Sequence, residues 1–145
     1  MPSLPHVGSY RELIVYQKAR QLARDIFQLS KQFPKEEMYA LTDQIRRSSR
    51  SIGAQIAESW GKRRYEKHFI SKLTDAVSEQ YETEHWLLSA QDCNYLTSVQ
   101  VQPFMNQCAE IGRMLNSMIE KADRFCQTPP NRLRESSPEY FIFDE

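Results

Sequence analysis

Val15, Ala19, Leu22, Ile26, Leu29 and Phe33 recur at alternating four- and three-residue steps, the spacing that lines apolar side chains along one helix face. This stripe predicts a first helix from about Tyr10 to Gln32. Tyr16, Ala23 and Phe27 widen it to one side, beyond what a core seam requires. Phe33-Pro34 interrupts it, because the residue before a proline is biased away from helix. Leu41, Ile45, Ile52 and Ile56 predict a second helix over about Thr42 to Trp60, with a helical turn ahead of it, Thr42 or Asp43 as its cap and Gly61 as its stop. Ser48 and Ser49 fall near that stripe, where tight packing would exclude larger side chains.

Phe69, Leu73, Ala76, Val77, Leu87 and Leu88 predict a third helix over about Tyr65 to Asp92. At 100° per residue, Gln80 and Glu84 lie within about 20° of Leu73, so an amide and a carboxylate interrupt the apolar face. A buried carboxylate requires a partner. Asn94 to Thr97 reads as a turn, with Thr97 or Ser98 capping a fourth helix that ends near Phe125. The seam of that helix is Phe104, Cys108, Ile111, Leu115, Met118 and Ala122, and Pro103 is tolerated only in its first turn.

Of seven prolines, only Pro34 and Pro103 fall between these predicted ends, so few breakers interrupt the helical middle. The fold class expected is all-α, an antiparallel up-and-down four-helix bundle over residues 1–126. Residues 127–145 have the composition of a flexible tail, apart from the apolar run Tyr140-Phe141-Ile142-Phe143. That run suits a docking segment for a partner or neighbouring subunit, and equally one that folds back on its own bundle.

Charge changes this picture locally and not globally. Nineteen Lys and Arg balance nineteen Asp and Glu, which removes any uniform field that would mark a nucleic-acid or membrane-surface protein. Between Arg46 and Lys72, however, stand eight basic residues against Glu58 and Glu66. In a hairpin turning near residue 63, Arg46 comes level with Gln80 and within a turn of Glu84, so Arg46 is expected to neutralise Glu84 as a structural ion pair. Arg47, Arg50, Lys62, Arg63 and Arg64 remain as a candidate phosphate-binding patch. Tyr16, Phe27, Trp60 and Tyr81 lie beside the core stripes and are candidates for a homo-oligomer interface.

Catalytic chemistry finds little support. Glu82-Thr83-Glu84-His85 contains Glu-x-x-His, the spacing of di-iron bundles, but no second copy accompanies it and His85 lies off the core stripe, so no metal site is expected. Cys93, Cys108 and Cys126 have neither CxxC nor metal-ligand spacing, and no stretch resembles a signal peptide or membrane span. A reduced, cytoplasmic protein without a cofactor is the expectation.

The block Tyr39, Leu41-Thr42-Asp43-Gln44-Ile45-Arg46-Arg47 to Ile56-Ala57-Glu58, with Glu82-x-Glu84, Asn94-Tyr95-Leu96 and Ile111-Gly112-Arg113-Met114-Leu115, resembles the family named after proteins encoded in 23S rRNA intervening sequences. The resemblance spans roughly Tyr10 to Lys121. Tyr16 stands where that family usually has Trp, Gly53 where it has Pro, and Ser78-Glu79 where it has Gly-Ser. The resemblance implies a left-handed bundle, ring-like oligomers that are often pentamers, and no recognised enzyme activity. A distant similarity to the accessory protein of diversity-generating retroelements implies RNA and reverse transcriptase as partner classes. Together these readings lead to a non-enzymatic oligomeric adaptor that binds RNA or another acidic partner. The alternative is a protein-binding scaffold using the apolar helix flanks and the aromatic tail.

Overall fold

The first apolar stripe becomes helix α1 (Ile14–Ser30) in the computed structural model, which describes residues 7–126. The tail expected over residues 127–145 lies outside the described residues. Helix α1 is shorter than its predicted span because Tyr10–Glu12 forms a separate 3-10 turn and Leu13 between them is extended. The Ser9 hydroxyl caps that turn by accepting from the Arg11 N–H. Beyond Pro34, a 3-10 turn at Lys35–Glu37 and a single π-helical turn at Met38–Thr42 lead straight into α2 (Asp43–Gly61). Because that turn is continuous with α2, Thr42 has helical dihedrals and its side chain caps nothing; it is buried in the core instead. Gly61 is likewise the last helical residue and not a left-handed stop.

Helix α3 (Glu66–Asp92) buries Phe69, Leu73, Ala76, Gln80, Thr83, Leu87 and Ala90, an unbroken repeat of four- and three-residue steps. Val77 and Leu88, both predicted for the core, sit one position past this seam; Val77 is half-buried and Leu88 is 46% exposed. Asn94 closes the helix at φ 63°, with the Tyr95 N–H bonding the Ala90 carbonyl and the Asn94 N–H bonding the Gln91 carbonyl. This is a Schellman ending, with asparagine taking the left-handed position. Thr97 then opens α4 (Ser98–Glu120) with a reciprocal capping box, accepting from the Gln100 N–H at 3.1 Å while the Gln100 side chain accepts from the Thr97 N–H at 2.9 Å.

Starting α4 at Ser98 puts Pro103 in the second turn, not the first. Proline cannot donate to the Val99 carbonyl there, but Val99 and Pro103 are both exposed, so water can take the missing role. The seam also begins one turn earlier than predicted, with Val101 buried and Phe104 only partly so. The last predicted turn is separate: Lys121 interrupts, and α5 is the short Ala122–Phe125 helix.

Two ends of the molecule define its topology. At one, the Tyr95 hydroxyl donates to Glu37 Oε2 at 2.6 Å and its ring lies 6.0 Å from that of Phe33, so the α1–α2 and α3–α4 connections meet. The same hydrogen bond to Glu37 pushes the Tyr95 hydroxyl up to about 12. At the other end Phe125 stacks on Phe69. Helix α2 packs most extensively on α3, then α3 on α4, α1 on α2 and α1 on α4, which closes an up-and-down four-helix bundle. Leu22, Ile26, Ile45, Ile52, Ile56, Phe69, Leu73, Leu87, Ile111 and Leu115 are fully buried in one core, each contributing on the order of 1.5–3 kcal/mol of transfer free energy.

The middle of the core is polar and narrow. The Ser48 and Thr83 hydroxyls hydrogen-bond at 2.9 Å between α2 and α3, both out of reach of water. One turn away, Gln80 is 2% exposed and its Nε2 donates to Glu84. Gly112 of α4 lies against that amide so closely that a Cβ would stand 2.7 Å from Gln80 Oε1. Elsewhere in a helix alanine is worth about 0.5–1 kcal/mol over glycine, but here it must displace a buried amide. Gly112→Ala is therefore expected to lower stability by about 1–2 kcal/mol in chemical denaturation, while the same change in a Gln80→Ala background should be neutral or stabilising.

Candidate nucleic-acid interface

On α1 and its C-terminal cap, Tyr16, Arg20, Ala23, Arg24, Phe27 and Lys31 follow one another at one-, three- and four-residue steps, just to one side of the core stripe. On α2, Arg46, Arg50, Gly53, Ala54 and Ala57 do the same. Where the two rows meet, Ala19, Ala23, Gly53, Ala54 and Ala57 are too small to fill the space, and an open groove of about 750 Å³ results. Tyr16 and Phe27 wall it, and Arg20, Arg24 and Arg50 rim it. Gly53 faces the Tyr16 ring across the groove, where a Cβ would lie 3.6 Å from it, an ordinary contact distance.

Cations crowd the groove's aromatic walls. Around the Phe27 ring, Arg46 Cζ stands at 4.7 Å, Lys31 Nζ at 4.9 Å and Arg50 Cζ at 5.5 Å from the centroid, and Arg20 Cζ is 6.0 Å from that of Tyr16. Cation–π attraction holds each in place, worth about 0.5–1 kcal/mol at exposed sites. It does not neutralise them. Among the described residues, none of Arg20, Arg24, Lys31, Arg46 and Arg50 has a carboxylate within ion-pair distance. The nearby acid Asp25 is occupied by amides, accepting from Gln21 Nε2 at 2.8 Å and from Gln107 Nε2 at 3.1 Å.

This arrangement corrects the expected pairing of Arg46 with Glu84. Arg46 Nε donates to Ser30 Oγ at 2.7 Å across the α1–α2 seam, and Glu84 accepts from Gln80. Hairpin register brings the two residues within a turn of each other along the bundle but not onto one side: Arg46 turns toward α1, where Phe27 attracts it, and Glu84, half-buried, finds its donor one turn back on its own helix. Arg47 also departs from expectation. It is not left available but bonds Glu82 Oε2 at 2.6 Å and lies 3.6 Å from Glu79 Oε1, which holds its guanidinium firmly charged.

The other predicted patch residues separate into two places. Arg50 belongs to the groove. Lys62, Arg63 and Arg64 stand at the α2–α3 turn, roughly 20 Å from Arg50 along α2 at 1.5 Å per residue. There Arg63 stacks on Trp60 at 3.7 Å and donates from Nε to its carbonyl, while Arg64 lies 5.9 Å from the Tyr65 ring. Near that turn Glu58 bonds Lys72 at 2.8 Å. Sequence reading missed Arg20, Arg24 and Lys31. Their interleaving with Tyr16 and Phe27 is the signal present in the sequence, fainter than the Arg46 to Lys72 block because α1 carries fewer charges.

Of the four rings proposed for self-association, Tyr16, Phe27 and Trp60 already have cations over them, and Tyr16 also meets Tyr10 edge-on at 5.0 Å. Tyr81 is 61% exposed, with Leu88 seven residues further along the same face of α3.

The Glu-x-x-His residues serve other ends. Glu82 accepts from Trp86 Nε1 at 3.0 Å as well as from Arg47, and exposed His85 meets the Trp86 ring at 4.7 Å. Among the described residues no group of three or more His, Cys, Asp or Glu could hold a metal. Burial pushes the Cys108 thiol up to about 12 and that of Cys126 up to about 11, so both are protonated and poorly nucleophilic at neutral pH.

The Trp86 hydrogen bond, followed by Arg47, holds the Glu82 carboxyl below its usual value. A lowered folded value means that Glu82 contributes stability above the ordinary glutamate range and loses it as pH falls through the folded value. Thermal melts from pH 7 downward should therefore show a smaller acid-induced loss of Tm for Glu82→Gln than for the parent; parallel curves would remove this linkage.

Comparison with known proteins agrees with the bundle and gives it a family. Residues 11–117 match the family described as 23S rRNA-intervening sequence protein. A solved structure from Bacteroides thetaiotaomicron, described as a protein of unknown function from the S23 ribosomal protein family, is 34% identical, with a TM-score of 0.66 over 73% of this chain and 98% of that one. No curated protein matches the chain. With close to three-quarters of its length matched, the chain belongs to the 23S rRNA-intervening sequence protein family.

Proposed function

We propose that this protein is a non-enzymatic, self-associating adaptor that takes an acidic partner, RNA foremost, on the Arg- and aromatic-lined face of α1 and α2. One observation carries the reading: four cations, Arg20, Lys31, Arg46 and Arg50, gather around Phe27 and Tyr16 without a carboxylate within ion-pair distance among the described residues. Like charges held this close repel one another, and a bound phosphate backbone relieves that repulsion while releasing counterions. Guanidinium groups with adjacent rings also suit unpaired bases, which stack on such surfaces. The Lys62, Arg63 and Arg64 cluster supplies a second contact down the same helix. In a homo-oligomer these weak contacts would repeat and add.

Electrophoretic titration against structured RNA and duplex DNA tests the partner. Arg20→Ala/Arg24→Ala/Arg50→Ala together should weaken RNA binding about tenfold or more and lower the salt slope by about 2. Arg47→Ala, whose side chain is neutralised by α3, should change it far less. Absence of binding at low salt, or equal losses from both variants, sinks the RNA reading and leaves a protein partner.

Self-association is read from the α3 face on which Tyr81 and Leu88, both exposed and seven residues apart, have no covering cation among the described residues. Sedimentation should give a mass of several subunits for the parent and of one subunit for Tyr81→Glu/Leu88→Glu. A parent already monomeric, or a variant of unchanged mass, rejects that surface.

A further inference from the structure

The groove between α1 and α2 is apolar along its floor and cationic along its rim, and the chain carries a segment of the opposite character. Residues 139–145 read Glu-Tyr-Phe-Ile-Phe-Asp-Glu, three aromatic rings and one isoleucine among three acids and no base. We propose that this segment docks in the α1–α2 groove of its own bundle. In extended form Phe141 and Phe143 share one face and cover the floor of Ala23, Gly53, Ala54 and Ala57, while the acids at the segment's two ends, Glu139, Asp144 and Glu145, meet Arg20, Arg24 and Arg50.

Three observations support this occupant. The first is complementarity: three arginines rim the groove, and its one carboxylate, Asp25, is engaged by two amides. An acidic aromatic peptide thus finds both cations and apolar surface where a purely polar ligand would leave the floor wet. The second is length. From Tyr16 to Phe27 the groove runs roughly 17 Å at 1.5 Å per residue, and seven extended residues cover about 23 Å. The third is reach. Cys126 ends α5 beside Arg63, at the end of the bundle from which α2 runs back through Ala57 to Arg50. Residues 127–138 can span at most about 40 Å, enough to carry segment 139–145 around the bundle to that face.

Attachment also favours the chain's own tail over a free ligand. A tethered segment meets its site at an effective concentration near millimolar for short flexible links, so a weak contact suffices to keep the groove covered. The tail would then compete with the RNA proposed for the same face, although the docking itself rests on the groove and not on that RNA reading.

The test uses the full chain without nucleic acid. p-Benzoylphenylalanine replaces Phe141, and in a second protein Phe143; after irradiation the cross-linked peptides are mapped by mass spectrometry. Mixing isotope-labelled and unlabelled chains separates links within one polypeptide from links between two. The proposal expects links within one chain to α1 between Tyr16 and Phe27, or to α2 between Arg50 and Ala57. Their yield should fall at least fivefold in Arg20→Glu/Arg24→Glu/Arg50→Glu, with the helical circular-dichroism signal retained. If that variant unfolds, Ala54→Glu, which adds one acid to the floor, must give the same loss. Links to other surfaces, links between chains, no links, or a yield indifferent to these changes overturns it. RNA binding enters none of these outcomes, so failure of docking and failure of the RNA reading are told apart.

Discussion

Helices α2 and α3 meet over side chains that are small or hydroxylated, and everything else is arranged around that approach. On α2 the buried Ser48 faces α3 and its hydroxyl is satisfied by Thr83 across the seam, while buried Gly53 faces Tyr16 and Ala19 of α1. Hydroxyl side chains at such positions allow two backbones to come close and still give each polar atom a partner. The Ser59 hydroxyl bonds back to the Ile56 carbonyl and Ser49 to Arg46, so no buried serine competes with packing for a hydrogen bond. The same economy of volume recurs at Gly112, where α4 accommodates Gln80 only because no Cβ intervenes. Apolar layers above and below supply the bulk of the burial, while this narrow polar belt fixes which residue faces which.

The belt also decides how charge is distributed. Helix α3 carries its acids Glu79 and Glu82 toward α2, and they neutralise Arg47. Helix α1 offers α2 no acid in return, since Asp25 is held by Gln21 and Gln107. Arg46 and Arg50 are therefore drawn to the Phe27 ring instead of to a carboxylate. A ring holds a guanidinium without cancelling its charge, so the α1–α2 face keeps a positive potential that the α2–α3 face has lost. An overall net charge of zero conceals this division.

Small residues have a second consequence on the outer side of α1 and α2. Ala19, Ala23, Gly53, Ala54 and Ala57 leave a groove that Tyr16 and Phe27 enclose only at its ends. The features that make the face a binding surface, namely a floor without bulk and a rim of cations on rings, arise from the residues that let α1 lie against α2. Scaffold and site share side chains, as expected where a small bundle has few positions to spare. Membership of the 23S rRNA-intervening sequence protein family gives the bundle its relatives.

The sequence by itself determined the four helices of the bundle, their approximate spans and most of the core, though not the break at Lys121 that sets Ala122–Phe125 apart, because four- and three-residue spacing is a local property that survives any arrangement of the helices. It also determined Gln80 as a buried polar residue, since angle about the α3 axis follows from residue number alone. Helix ends were less legible: whether Thr42 caps α2 depends on the π-helical turn before it, and Pro103's turn depends on where the Thr97 capping box forms. Tertiary structure alone decided the partners. Arg46 and Glu84 lie within a turn of each other along the bundle axis, as register requires, yet rotation of α2 about its own axis presents Arg46 to Ser30 and Phe27. Spacing gives each helix its face but not its rotation against a neighbour, which side-chain volume at Ser48, Gly53 and Gly112 sets only once the helices are packed.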